Sequence, residues 1–289
     1  MQASLRQPQR RHGRLRRTAV KLAARAAAAL GGRALYRRRW LGPGRFRVRE
    51  EVLWVADLSE GLVGFRIAHL SDLHGGPFLG AGDLAAVART VRELAVDLAV
   101  LTGDLITDHW SDALELIPDL AELGARHGML AVFGNHDYRG RQEGRIAAAL
   151  AERGIETLRN ACRRIDTGRG VLAVVGVEDL EEGRELDLER ARASVRPGDV
   201  ELVLCHHPAG GLALARRGCC AVLSGHTHGG QVRFLGRLGP PHPGLRIALG
   251  ETALIVNRGL GVIGFPWRSG APTEIVLVRL EASTRCRVA

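Results

Sequence analysis

Lysine is almost missing from this chain of 289 residues: Lys21 stands alone among 41 Lys+Arg. With Ala and Gly abundant as well, forty arginines reflect coding bias, and their number carries no functional weight. Cysteine is scarce too. The five cysteines (Cys162, Cys205, Cys219, Cys220 and Cys286) are odd in number and contain no C-x-x-C pair. That excludes thiolate zinc-finger spacing, and adjacent Cys219 and Cys220 cannot easily bridge to each other, so a reducing compartment is the simpler reading. No apolar run is both long and unbroken. The alanine-rich stretch from Leu15 to Leu30 is interrupted by Lys21 and Arg25, which fits neither a spanning helix nor a signal-peptide core. Internal repeats are absent, and no linker divides residues 46–289.

Charge of one sign is missing from the start of the chain. Residues 1–50 hold fifteen Lys+Arg against the single acid Glu50, a local +14 within an overall +10, and the remainder is about −4. A basic leader over residues 1–45 therefore precedes a mildly acidic globule over 46–289, and a uniformly basic nucleic-acid binder is disfavoured. In the leader, Arg14, Arg17, Lys21 and Arg25 recur at helical spacing. Leu15, Ala19, Leu22, Ala26 and Leu30 fall largely on another face. Such a helix suits an anionic membrane surface; a disordered basic tail is the alternative. The pairs Arg10-Arg11 and Arg16-Arg17 add a third option, twin-arginine export, against which the short, charged apolar segment counts. The expected location is cytoplasmic, peripheral on the inner face of the membrane.

From residue 46 strand and helix patterns alternate. Strands are predicted near 46–49, 62–70, 98–101, 129–133, 155–177, 200–205 and 221–223, with further ones at 231–235, 245–249, 252–257 and 274–280. Helices are predicted over 83–95, 111–125 (despite Pro118), 141–153, 187–195 and 210–217. Strands alternating with helices, then a strand-rich tail, indicate an α/β layered domain.

Five of the strands end in oxygen or nitrogen donors beside glycine or proline: Asp72-Leu73-His74, Gly103-Asp104, Gly134-Asn135-His136-Asp137, His206-His207-Pro208 and Gly225-His226-Thr227-His228. Open α/β sheets place ligands at strand C-termini, so these loops can converge. Singly, each is ordinary turn and cap chemistry; jointly they read as a metal site. Carboxylate, amide oxygen and imidazole suit manganese, iron or zinc, whereas an all-oxygen set favours magnesium or calcium. Seven or eight donors exceed the four of a structural zinc. Two ions about 3.5–4 Å apart, sharing a carboxylate, fit the number and the chemistry of phosphate-ester displacement.

The order D-x-H, G-D, G-N-H-D, H, G-H-x-H over residues 65–232 resembles the calcineurin-like metallophosphoesterase superfamily. Leu70–His74, Gly176-Val177-Glu178-Asp179, Gly229-Gly230-Gln231 and Asn257-Arg258-Gly259-Leu260-Gly261 are similar to its bacterial YkuE/YaeI-like branch. The resemblance implies a four-layer sandwich of two mixed β-sheets flanked by helices. It implies that Asp72, His74 and His228 bind one divalent ion and Asn135, His206 and His226 a second, with Asp104 bridging. His136 would face the phosphate as acid or transition-state stabiliser, and Asp137 would fix its tautomer. Aligning His-x-Pro picks His206 over its neighbour His207, which stays open as an alternative.

The implied activity is hydrolysis of a phosphodiester or pyrophosphate by metal-activated hydroxide. A nucleotide-linked lipid such as UDP-diacylglucosamine is a candidate substrate. A soluble nucleotide phosphodiesterase or phosphatase, or a non-catalytic metal-stabilised scaffold, are the rival readings. Asp83 is expected to be only a helix N-cap, and His12, His109, His127 and His242 to lie on the surface. Cys205 is expected to pack in its strand rather than ligate. Arg233 and Arg258 are solvated arginines or, alternatively, phosphate contacts.

Overall fold

The computed structural model describes residues 14–232 and 245–283. Arg233, His12, His242, Cys286 and the end of the 231–235 stretch lie outside the described residues.

Twelve strands form two six-stranded mixed sheets. The first sheet holds β1 (Arg47–Val55), β2 (Arg66–Leu70), β3 (Leu98–Thr102), β4 (Met129–Val132), β5 (Ile155–Thr157) and, from the far end of the chain, Glu274–Ala282. The second holds β6 (Ala161–Asp166), β7 (Val171–Gly176), β8 (Val200–Leu204), β9 (Ala221–Ser224), β10 (Arg246–Leu249) and β11 (Thr252–Val256); Glu274–Ala282 is β12. The strand orders are β1-β12-β2-β3-β4-β5 and β10-β11-β9-β8-β7-β6. β2 to β5 run parallel, as do β7, β8, β9 and β11. Antiparallel partners sit outside these blocks.

Side-chain alternation explains the layering. Leu98 and Val100 of β3, Leu202 and Leu204 of β8, and Ala221 and Leu223 of β9 meet in a core between the sheets. Ala99 and Leu101 of the same β3 face outward, onto helices α3 (Ala85–Glu93), α4 (Asp112–Ala121) and α5 (Glu143–Ala151). Val203 and Val222 face the other way, onto α6 (Leu188–Ala191) and α7 (Pro208–Ala215). Strands buried on both faces must be apolar throughout, which is why they read as short continuous runs. The product is the expected four-layer sandwich.

Two predicted elements differ. The strand expected from Leu62 starts at Arg66, because Glu60–Leu62 forms a helical turn and Gly64 takes φ 77°. Only Val232 of the 231–235 stretch shows β pairing among the described residues, a bridge to Ser269.

The leader is helical where it is described. The helix α1 (Arg14–Ala27) continues through a kink at Leu30–Gly31 into α2 (Arg33–Tyr36) and a wide helical turn ending at Leu41. Tyr36 and Leu41 are buried with the first sheet's outer core. The Tyr36 hydroxyl donates to the Leu260 carbonyl at 2.7 Å. Asp83, read as an N-cap, is no cap: α3 begins at Ala85, and the Asp83 carboxylate instead takes the Arg33 guanidinium at 2.7 Å. No helix among the described residues is long and apolar enough to cross a membrane.

Candidate metal centre

The C-terminal ends of β2, β3, β4, β8 and β9 open onto one edge of the sandwich and bring the strand-end motifs together. Backbone conformation shows how tightly they turn. Asp72, His74, Asp104, His226 and His228 all adopt positive φ, between 50° and 69°. Non-glycine residues in this region cost of order 1–3 kcal/mol each and persist only where the surroundings over-determine them, typically at functional sites. Here the surroundings are backbone. Asp72 N donates to Gly103 O at 3.0 Å, and His74 N to Asp104 O at 3.0 Å. Gly225 N donates to His206 O at 3.0 Å and Gly261 N to Asp72 O at 2.7 Å.

Two glycines are required by close approach. A Cβ on Gly134 would lie 2.4 Å from Asp104 Oδ1, and one on Gly225 would lie 1.9 Å from Ser71 Oγ and 2.3 Å from Asp72 Oδ2. Gly225→Ala is therefore expected to lower stability by about 1–3 kcal/mol, the usual range for overpacking. Urea denaturation checks this; an unchanged midpoint would show that the loop yields freely.

The side chains form two donor groups that share one carboxylate. In the first, His74 Nε2 lies 2.9 Å from His228 Nε2 and 3.9 Å from Asp72 Oδ1, and His228 Nε2 lies 3.5 Å from Asp72 Oδ1. In the second, His206 Nε2 lies 3.2 Å from His226 Nδ1. Asp104 Oδ2 sits between them, 3.5 Å from His74 Nε2 and 3.4 Å from His206 Nε2. Asn135, beside this group in sequence, has a buried Oδ1 with no hydrogen-bond partner. An orphaned buried acceptor is costly unless something binds it. Carboxylates and imidazole nitrogens converging on one place, with a free amide oxygen on the adjoining Gly134–Asp137 turn, fit a divalent cation.

Protonation supports this fit at His74, His226 and His228, with His206 the exception. Burial, foremost, lowers His74 to about 4 and His226 to about 3, and pushes His136 and His228 well below the ordinary imidazole value. Their lone pairs are thus free at neutral pH. Burial alone would raise Asp104, but His206, His136 and His74 around it hold its carboxyl well below the usual range. Burial opposes charge on His206 as well, yet Asp104 beside it raises that imidazole well above its ordinary value. Burial lifts Asp72 to about 6, with His206 opposing and the Asp104 charge adding to the rise.

His136 sits at the edge of this group, its ring 4.6 Å from that of His74 in a T-shaped contact. The His136 amide donates to Asp104 Oδ1 at 2.9 Å, and the ring Nδ1 lies 2.8 Å from the Thr107 carbonyl. Because a carbonyl only accepts, Nδ1 carries the proton and Nε2 holds the lone pair. The tautomer is therefore set by Thr107, and the role expected of Asp137 is corrected. Asp137 is buried, and its two oxygens accept from the amides of Ile106 at 3.1 Å and Gly134 at 2.9 Å. It clamps the Gly134–Asp137 turn instead of touching the His136 ring.

The adjacent histidines part company at the end of β8. His206 joins the cluster, its Nδ1 2.7 Å from Thr102 O. His207 Nδ1 accepts from Ala209 N at 3.1 Å as the N-cap of α7, and its Nε2 lies 3.6 Å from Glu181. His206→Ala is expected to release bound metal while His207→Ala retains it and loses about 0.5–2 kcal/mol of cap stability. Metal analysis of the two purified variants decides, and the reverse pattern would make His207 the ligand.

Arg268 has no sequence signature. Arg268 is buried, with Nη2 3.2 Å from His228 Nδ1, Nε donating to Gly261 O at 3.0 Å and Nη1 donating to Arg258 O at 2.9 Å. Ser71 Oγ donates to Asp72 Oδ2 at 2.6 Å and is itself reached by Thr102 Oγ1 at 2.9 Å. Arg258 pairs with Glu274 at 2.9 Å. Burial pushes the Cys205 thiol up to about 12, and its side chain packs in the core under α7, so it is no ligand. His109 is exposed, and His127 stacks half-buried on Phe65.

A four-layer sandwich with shared carboxylate and imidazole donors at its strand ends defines a metal-dependent phosphoester hydrolase. The chain belongs to the calcineurin-like phosphoesterases, whose family model matches residues 65–230, and to their YkuE-like branch. YkuE of Bacillus subtilis, described as an uncharacterized metallophosphoesterase, is 30% identical over 272 residues, covering 91% of this chain and 94% of YkuE. YkoQ of the same organism, described likewise, is 30% identical over 76% of this chain and 86% of its own. A zebrafish (Danio rerio) "transmembrane protein with metallophosphoesterase domain" is 31% identical over 78% of this chain; the match spans 55% of that longer protein.

Proposed function

We propose that the centre holds two divalent cations and hydrolyses a phosphodiester or pyrophosphate bond. Asp72, His74 and His228 would hold one ion, and Asn135, His206 and His226 the other, with Asp104 shared. The carrying observation is the position of Asp104 Oδ2, nearly equidistant from His74 and His206. Manganese, iron and zinc match the mixed donors. Such a pair supplies Lewis acidity, making water nucleophilic near neutral pH and offsetting charge on the attacking and leaving oxygens.

The chain's own residues do the rest. Thr107 O holds the His136 ring with its Nε2 lone pair free. Nε2 would take a proton from solvent once the negatively charged substrate is beside it and deliver that proton to the leaving oxygen, ending unprotonated as it began. Ser71 and the His226 amide, each donating to Asp72, keep that carboxylate oriented. Arg268 fixes the side of His228 away from Asp72.

For the substrate, a lipid-linked pyrophosphate such as UDP-diacylglucosamine, met from the cytoplasmic face of the membrane, draws support from the basic leader. The name of the zebrafish relative also ties this domain to membranes. Metal analysis of the purified protein, followed by bis-p-nitrophenyl phosphate, cyclic nucleotides and UDP-linked lipid assayed side by side, tests the reading. Preference for the lipid is expected. Turnover confined to nucleotides would replace the lipid with a soluble ester, and no turnover with two bound metals would leave a scaffold.

A further inference from the structure

We infer that the loop Ile263–Trp267, with Trp40 and the arginines beside it, is a docking face for an anionic lipid bilayer. The inference deepens the lipid-substrate reading above and depends on it only for what the docked site acts on. Single exposed apolar residues are unremarkable on a protein surface. This loop has three within five residues: Ile263 is 40% exposed, Phe265 63% and Trp267 51%. Backbone bonds from Phe265 N to Ile263 O (3.1 Å) and from Trp267 N to Phe265 O (2.8 Å) hold it in tight turns, with Gly264 at φ 81°. The apolar tip is thus pre-formed.

The loop is anchored at its base. Gln231 grips Ile263 twice, Nε2 donating to its carbonyl at 3.0 Å and Oε1 accepting from its amide at 3.1 Å. Ser269 N donates to Gln231 O at 2.8 Å. Arg268, next to Trp267, reaches His228. The apolar tip therefore stands against the His228 side of the metal centre, joined to it through a short, hydrogen-bonded base.

Charge says which partner fits. The Trp267 ring meets Trp40 edge-on, centroids 6.5 Å apart, and the Arg39 guanidinium lies over Trp40 at 5.5 Å. Arg38, Arg39 and Arg45 are exposed, whereas Lys21, Arg33 and Arg37 are paired with Asp108, Asp83 and Glu115. Indole and phenyl rings flanked by arginine match the boundary between acyl chains and anionic headgroups, where aromatic rings settle and each cation gains from the surface potential. An acidic protein would satisfy the arginines and leave Phe265 without an apolar partner.

The test is co-sedimentation of the full chain with vesicles of phosphatidylcholine alone or mixed with phosphatidylglycerol. Binding is expected on the anionic vesicles, weakening with salt, and poor on the neutral ones. Ile263→Ser with Phe265→Ser should weaken it about tenfold or more, since each removes apolar area from the bilayer. Hydrolysis of soluble bis-p-nitrophenyl phosphate should stay unchanged. Because the basic leader is intact in this variant, wild-type binding by it would overturn the loop's role. Equal binding to both vesicles would overturn that of the arginines. A wild-type chain that ignores anionic vesicles would overturn the inference outright and assign the face to a protein partner. Brominated lipid should quench fluorescence in the wild type and less in Trp267→Phe; equal quenching would count against insertion. Vesicle binding without any phosphoester turnover would sink the enzymatic reading and leave this one standing.

Discussion

Asp104→Asn is expected to lower turnover on a generic phosphodiester by more than about 10³-fold, beyond the loss typical of one misplaced electrostatic donor. The amide preserves shape but removes the one anionic oxygen shared by the two donor groups. It lies 3.5 Å from His74 Nε2 and 3.4 Å from His206 Nε2, so neither group keeps its full charge. Asp104 is also the buried counter-charge of His206, whose imidazole it raises well above its ordinary value, so the substitution is expected to lower the metal-free unfolding midpoint as well. Lost turnover and reduced metal content in protein that still unfolds in a cooperative transition is the expected signature. Near wild-type turnover with Asp104→Asn would refute the shared-carboxylate site.

His136→Ala should separate chemistry from metal retention. Its ring meets the donor groups only edge-on against His74, at 4.6 Å. Its backbone amide, the part that touches Asp104 at 2.9 Å, survives the substitution. Metal content should therefore stay at the wild-type level while turnover falls about 10²–10⁴-fold, the range for a positioned acid–base group. A substrate whose leaving group needs no proton, such as a p-nitrophenyl ester, should lose least, and an alkyl ester most. Equal losses on both would assign His136 to charge stabilisation; loss of metal with the ring would make it a ligand alongside His74 and Asp104, with which it is grouped in space.

Much of this was readable in the sequence, for physical reasons. Parallel strands covered on both faces are short apolar runs. The donors follow directly where those runs stop, so Asp72, His74, Asp104, Asn135, His206, His226 and His228 could be picked out together. What could not be read involves partners far along the chain or without side chains. The Thr107 carbonyl that fixes His136 is backbone, which every residue possesses. Arg268 reaches His228 across 40 positions, in a sequence where arginine is too common to stand out. Asp137 follows His136 directly and invites pairing with it. In the folded turn its carboxylate swings back to Gly134 N and Ile106 N. Asp83 looks like a cap because it precedes a helical pattern, yet its partner Arg33 lies 50 residues earlier. Composition drew the leader's end at residue 45, whereas packing already engages Tyr36 and Leu41.

The donors divide by sheet in a way that matters mechanically. Asp72 and His74 follow β2, Asp104 follows β3 and Asn135 follows β4, all in the first sheet. His206 follows β8, and His226 and His228 follow β9, in the second. Each proposed ion would draw on both halves of the sandwich. A cation bound there would reinforce polar ties that already join the two slabs at this edge, such as His206 Nδ1 to the Thr102 carbonyl and the His226 amide to Asp72. The open edge of the molecule would then be a stiffened seam, held most firmly where the proposed reaction takes place.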